Sequence, residues 1–198
     1  MTSDSISAPP PLAPHSLLKW VFFLSGGAGL MYEVSWTHQF ANILGSTAGS
    51  MAVVFSVFLS FLALGGHLAG RSRAVLADPL LSYVALEVLI GLLGAGSAFA
   101  VLHYEPVLIG WLPGSGAGPA ALPLHILAVA VVIGPASTAM GATLPVMTEG
   151  AKLWTLPSRA VSTLYGINTA GAAFGAILPG ICSSPGSACR ARPSPRQG

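Results

Sequence analysis

Three polar side chains lie inside long apolar stretches of the sequence: Glu33, Glu87 and Asn168. A carboxyl group in the hydrocarbon region of a membrane is costly, so it usually faces a protein interior or a water-filled cavity. There it can carry a proton or bind a substrate, which makes Glu33 a candidate for a proton or substrate path. The alternative that stays open is a structural hydrogen bond from Glu33 to another helix.

The other two polar residues have more ordinary interpretations. Glu87 lies about 10 Å from the start of its apolar stretch, at about 1.5 Å per helical residue. A packed carboxylate, or one whose head reaches the membrane surface, is the favoured interpretation there. Asn168 is expected to hydrogen-bond to a neighbouring helix, as polar side chains commonly do in membranes. Together the three residues form a candidate intramembrane polar site.

No other arrangement of residues predicts chemistry. Serine and threonine are plentiful, but none occurs in a recognisable nucleophile motif. The five histidines make no metal-ligand spacing, and the two cysteines, Cys182 and Cys189, have no zinc-site partners. The sequence therefore predicts no catalytic residue, no metal and no cofactor.

The composition places the chain in a lipid bilayer. It is 53% hydrophobic and only 7% charged, whereas soluble domains carry about 25% charged residues. The net charge of +2 is small and no basic cluster occurs, which excludes nucleic acid as an expected partner. The repeated long apolar runs indicate a membrane protein.

Apolar runs long enough to cross a bilayer, about 20 residues each, recur along the chain. They predict an all-α polytopic membrane protein of about five transmembrane helices, with a transporter-like bundle. Loops are expected at 104–121 and 148–158, and a turn at Asp78-Pro79. The predicted spans are 17–45, 47–70, 80–102, 122–147 and 161–181.

Three regions follow from this pattern. Residues 1–16 are rich in Ser and Pro and predict a disordered tail. Residues 17–181 form the transmembrane domain. Residues 182–198 are basic and of low complexity, and they predict a disordered tail or an aberrant end such as a shifted reading frame would give.

Small residues four apart mark where helices should pack closely. Such spacing lets main chains approach in a membrane. The predicted packing pairs are Gly66 with Gly70 and Gly171 with Gly175. Glu33 shares its helix face with Gly26, Gly29 and Thr37 by helical spacing. We therefore expect its carboxyl group to meet polar side chains across a close helix contact. The expected partners are Asn168 and the hydroxyl group of either Thr138 or Thr37.

Six stretches of this sequence resemble a family of bacterial membrane proteins. In that family a helical, transporter-like N-terminal part is fused to a spermidine synthase-like domain. The stretches occur in the same order as in the family. They are FFLSGGAGLMYEVSW (22–36), LGST (44–47), FLALGGHLAGR (61–71), ALEVLIGLLG (85–94), MGATLPVM (140–147) and LYGINTAGAAFGA (164–176).

The resemblance covers the membrane half of that family alone. The catalytic half is similar to aminopropyltransferases of polyamine biosynthesis, which have a Rossmann-like sheet with a Gly-rich turn. No part of this sequence matches that turn. The resemblance therefore implies a bacterial inner-membrane protein without its own catalysis, apparently truncated, with a separate spermidine synthase-like catalytic domain as a candidate partner.

Three functional hypotheses remain open at this point. The first is a membrane domain of a spermidine synthase-like protein that lacks the aminopropyltransferase domain. The second is part of a major-facilitator-like transporter that uses intramembrane carboxylates, although halves of such transporters have six spans. The third is a non-functional product of a truncated gene.

The distribution of lysine and arginine predicts the topology, because these residues accumulate in cytoplasmic loops. With a cytoplasmic N-terminus, one side of the membrane carries Lys19, Arg71, Arg73, Lys152 and Arg159, and the loops after the first and third spans carry none. Reporter fusions at Arg73 and Lys152 should therefore report the cytoplasm, and a fusion at Gly116 should report the outside. A cytoplasmic signal at Gly116 would overturn this topology.

Overall fold

The computed structural model describes residues 15–44, 47–112, 121–153 and 158–183. Within these ranges the chain is helical and contains no strand, so the all-α prediction is confirmed. The predicted tails lie almost entirely outside the described residues. The helices are α1 (His15–Leu44), α2 (Thr47–Arg71), α3 (Arg73–Ala77), α4 (Pro79–Trp111), α5 (Leu122–Leu153) and α6 (Ser158–Ser183).

Four of the long helices are apolar enough to cross a membrane, where the sequence predicted about five spans. The qualifying segments are Met51–Arg71, Pro79–Val101, Leu122–Gly150 and Val161–Pro179. The fifth long helix, α1, has 30 residues, which is ample length. Its lower hydropathy comes from polar and small residues such as Lys19, Glu33 and the Gly26-Gly27 pair.

Two helices extend further than the sequence predicted. Helix α4 continues through Pro106 to Trp111, and α5 continues to Leu153. The loops predicted at 104–121 and 148–158 are therefore wrong at residues 104–111 and 148–153, which are helical. Proline removes one main-chain donor, and near a membrane surface water can satisfy the carbonyl group that is left free. Residues 113–120 and 154–157 lie outside the described ranges.

The predicted turn at Asp78-Pro79 is present, preceded by the short helix α3. Ser72 caps α3 by accepting a hydrogen bond from the main-chain N–H of Val75 at 3.4 Å. Asp78 then starts α4, since its carboxylate accepts from the N–H of Leu81 at 3.1 Å. A short acidic side chain at this position satisfies an otherwise free helix donor.

Helices α1 and α6 pack side by side through glycine. A Cβ atom on Gly171 would overlap the carbonyl oxygen of Phe23, and one on Gly175 would overlap that of Gly27. In return, a Cβ on Gly26 would overlap the carbonyl oxygen of Asn168. Residue numbers rise together along this contact, so the two helices are parallel.

Helices α2 and α5 repeat the same geometry. A Cβ on Gly65 would overlap the carbonyl oxygen of Thr138, and one on Gly141 would overlap that of Leu62. The predicted packing residues Gly66 and Gly70 lie on this contact too. A Cβ on Gly66 would lie 3.4 Å from the Gly141 carbonyl oxygen, and one on Gly70 would lie 4.0 Å from Pro145 Cβ. This pair is also parallel. Because α2 follows α1 after only two intervening residues, the two pairs run in opposite directions.

Two apolar clusters flank the glycine contacts. The larger contains Trp36, Phe40 and Val54 with residues of α4 and α5, and the smaller contains Phe22, Tyr83 and Leu164. On α1 the contact glycines lie between Phe22 and Trp36. On α1, main-chain contact therefore lies between the two clusters, and large side chains pack on either side of it.

The close approach at Gly171 predicts a specific loss of stability. Gly171→Ala should destabilise the bundle by about 1–3 kcal/mol, because the added methyl group overlaps main chain that cannot move aside. Thermal unfolding of the purified protein in detergent measures the change. Gly166→Ala is the matched control on the same helix, since a Cβ there meets nothing within 4 Å. Equal unfolding temperatures for the two variants would contradict the packing.

Candidate functional site

Glu87 is held by a residue of α1 that sequence reasoning did not select. The Ser25 hydroxyl donates a hydrogen bond to Glu87 Oε1 at 2.6 Å, across the α1–α4 contact. Glu87 is half-buried. Glu87 was predicted to be a packed carboxylate, and Ser25 is the residue that contacts it. The contact lies between α1 and α4.

Tyr83 lies one helical turn before Glu87 on the same face of α4. Its side chain is 8% exposed, and its ring lies 5.2 Å from the ring of Phe22. The phenol oxygen lies close enough to Glu87 and Ser25 to interact with both, yet it makes no hydrogen bond of ordinary geometry within the described residues. A buried hydroxyl without a partner is uncommon and costly.

Asn168 contacts α1 next to Ser25. Its carbonyl oxygen lies against Gly26, and its side-chain Oδ1 would lie 2.9 Å from a Cβ on that glycine. Gly26 directly follows Ser25 in the sequence. Helix α6 therefore brings Asn168 to the height of Ser25 and Glu87, and the missing side chain of Gly26 provides the space.

Glu33 lies apart from these residues. It follows Ser25 by eight positions, which corresponds to about 12 Å along the helix. Its side chain is only 7% exposed. The three candidate residues are therefore two separate features, because Asn168 and Glu87 share the height of Gly26 and Glu33 lies deeper along α1.

The expected partners of the Glu33 carboxyl group are wrong. The Thr37 hydroxyl donates to the main-chain oxygen of Glu33 at 2.9 Å. The Thr138 hydroxyl donates to the Gly134 oxygen at 2.8 Å, and Asn168 contacts Gly26 instead. Threonine in a helix commonly bonds to the carbonyl four residues earlier. Among the described residues no hydrogen bond to the Glu33 carboxyl group is found.

A second polar contact between α1 and α4 was also missed. The Trp36 indole N–H donates to Ser97 Oγ at 2.8 Å, and the Ser97 hydroxyl donates to the Gly94 oxygen at 2.7 Å. Gly94 in turn lies against the ring of Tyr32. The four-residue spacing of Tyr83 and Glu87 is visible in the sequence, but the register of Ser25 and Ser97 across helices is not.

The histidines and acidic residues form no metal site within the described ranges. His38 and His103 each contact the carbonyl oxygen four residues earlier, at 2.8 Å and 3.1 Å. His67 contacts the Arg71 side chain on the exposed end of α2. These histidines are occupied locally and do not converge on a ligand.

Comparison with models of protein families, with curated proteins and with solved structures found no match.

The isolated position of Glu33 predicts how its replacement behaves. Glu33→Leu should keep or raise the thermal stability in detergent, because it removes a buried carboxyl group that forms no hydrogen bond with any described residue. Glu33→Gln should match the wild type. Ser97→Ala is the contrasting control, since it leaves the buried Trp36 N–H without an acceptor and should cost about 1–3 kcal/mol.

Loss of stability in Glu33→Leu together with retention in Glu33→Gln would contradict this prediction. That result would instead indicate a hydrogen-bonded bridge between helices, as the sequence alone suggested.

Proposed function

We propose that this chain is the membrane-embedded helical part of a spermidine synthase-like protein and has no aminopropyltransferase activity by itself. The observation that carries the proposal is where the resembling stretches lie. Five of the six supply a residue to the glycine contacts or to the polar groups between helices: Gly26, Gly65, Glu87, Gly141 and Gly171.

These residues explain why the stretches have the composition they do. Glycine is required where two main chains touch, since any Cβ would overlap a carbonyl oxygen. Serine and glutamate are placed where α1 meets α4 at 2.6 Å. A bundle built from the stretches that carry the resemblance supports membership in that family more strongly than scattered surface matches would.

In this function the bundle holds a catalytic domain at the membrane surface. A separate spermidine synthase-like catalytic domain is the proposed partner, and the bacterial inner membrane is the proposed location, with the N-terminus in the cytoplasm. The apolar outer surfaces of α2, α4, α5 and α6 suit lipid. The cationic residues Arg71, Arg73 and Lys152 would then lie on the side of the partner.

Two measurements test this proposal. Purified in detergent, the chain should transfer no aminopropyl group to putrescine and should show no saturable binding of the nucleoside donor. Saturable donor binding would contradict it. Inspection of the downstream DNA supplies the second test. A spermidine synthase-like reading frame there supports the family, whether the chain is an intact membrane domain or a non-functional truncated product.

A transporter is the second candidate, favoured by the arrangement of the helix pairs. The α1–α6 and α2–α5 pairs share one contact geometry and run in opposite directions, as repeats in many transporters do. Glu33 would then be the proton-carrying group. In proteoliposomes loaded with a pH-sensitive dye, solute-dependent proton movement that Glu33→Gln abolishes would favour transport. Proton movement equal in both forms would exclude this role for Glu33.

A further inference from the structure

Three oxygen-bearing side chains meet between α1 and α4, and we call Ser25, Tyr83 and Glu87 the Glu87 cluster. Ser25 donates to Glu87 at 2.6 Å. Tyr83 brings its phenol oxygen beside both residues. In the proposed functions Glu87 serves only as a contact between helices, and no ligand is assigned to this group.

Among the described residues no cationic side chain pairs with Glu87. An O–H···O distance of 2.6 Å is typical of a hydroxyl group that donates to a charged carboxylate. The ion pair found among the described residues lies elsewhere: Lys152 pairs with Glu149 at 2.9 Å on the surface of α5. A carboxylate between membrane helices normally has a partner, and here that partner is not a described side chain.

Tyr83 is a second, independent indication of a ligand. Its side chain is 8% exposed, and its buried phenol oxygen makes no hydrogen bond within the described residues. The packing of its ring on Phe22, at 5.2 Å between centroids, holds the oxygen at the carboxylate. A group that binds both oxygen atoms would satisfy the phenol and balance the charge together.

We propose that the Glu87 cluster binds a monovalent cation, either an alkali-metal ion or a protonated primary amine. The donors are all oxygen atoms, which suit hard cations and ammonium groups. One carboxylate supplies one negative charge, whereas sites for divalent ions usually gather several carboxylates. The neighbouring rings of Phe22 and Tyr83 are compatible with an ammonium group as well.

Glu87 lies in the first part of α4, and part of the residue is exposed. Glu87 is eight residues beyond Pro79, so it lies about 12 Å into the helix. Glu87 is half-buried, whereas Tyr83, which lies one helical turn nearer to Pro79, is buried. In the proposed site a small cation reaches the carboxylate from the exposed part of Glu87.

Cation-dependent thermal stability of the full chain in detergent tests this proposal. The reference buffer contains choline chloride, whose bulky ammonium group has no N–H donor. Sodium, potassium or methylammonium chloride then replaces it at constant ionic strength. At least one of these cations should raise the unfolding temperature in a saturable manner, by about 5 °C at a hundredfold excess over Kd. Response to the metal ions or to methylammonium identifies which source of positive charge the site takes.

Variants show whether the rise belongs to this cluster. Glu87→Gln should abolish it, and Tyr83→Phe should weaken the apparent affinity about fivefold to tenfold, since it removes one hydrogen bond. Glu149→Gln is the control and should respond as the wild type does, because Glu149 pairs with Lys152 elsewhere.

The proposal is wrong if no tested cation gives a saturable rise in the wild type, or if Glu87→Gln responds as the wild type does. If Glu87→Gln does not fold, Ser25→Ala and Tyr83→Phe decide the matter. Unchanged affinity in both of those variants would overturn it.

Discussion

Main-chain contact between paired helices is the constraint on which the rest of this bundle depends. In lipid, apolar side chains gain little by leaving the bilayer for another helix, so association relies on close packing of small residues. Gly26 and Gly171 permit that approach in one pair, and Gly65 and Gly141 permit it in the other. Each glycine receives a carbonyl oxygen of its partner helix, which fixes the register of the pair.

That register decides which polar groups meet. With α6 seated on Gly26, Asn168 reaches the height of Ser25. With Tyr32 against Gly94 and Trp36 bonded to Ser97, α4 is aligned so that Glu87 faces Ser25. The carboxyl groups of Glu33 and Glu87 consequently differ in surroundings. Glu87 accepts a hydrogen bond beside two hydroxyl groups, whereas Glu33 lies deeper along α1 and receives none from a described residue.

The polarity of α1 also follows from its position. It contacts α2, α4, α5 and α6, so neighbouring helices cover part of its surface. A helix surrounded by protein can carry glycine, serine and a carboxyl group, because its neighbours replace lipid as its environment. Its polar and small residues lower its mean hydropathy, so hydropathy selects the other four long helices and not α1.

The sequence by itself determined the class of this protein, because low charge and repeated apolar runs leave few alternatives to a helical membrane bundle. It also indicated Gly171 and Gly175 as packing residues, since four-residue spacing is a local property. It could not assign partners to Glu33 or Glu87, because a single sequence contains no information on how two helices are aligned. Only the tertiary structure placed Ser25 on Glu87 and Gly65, rather than Gly66, at the closest contact. Both results depend on the rotation and register of each helix, which the opposing main chain sets.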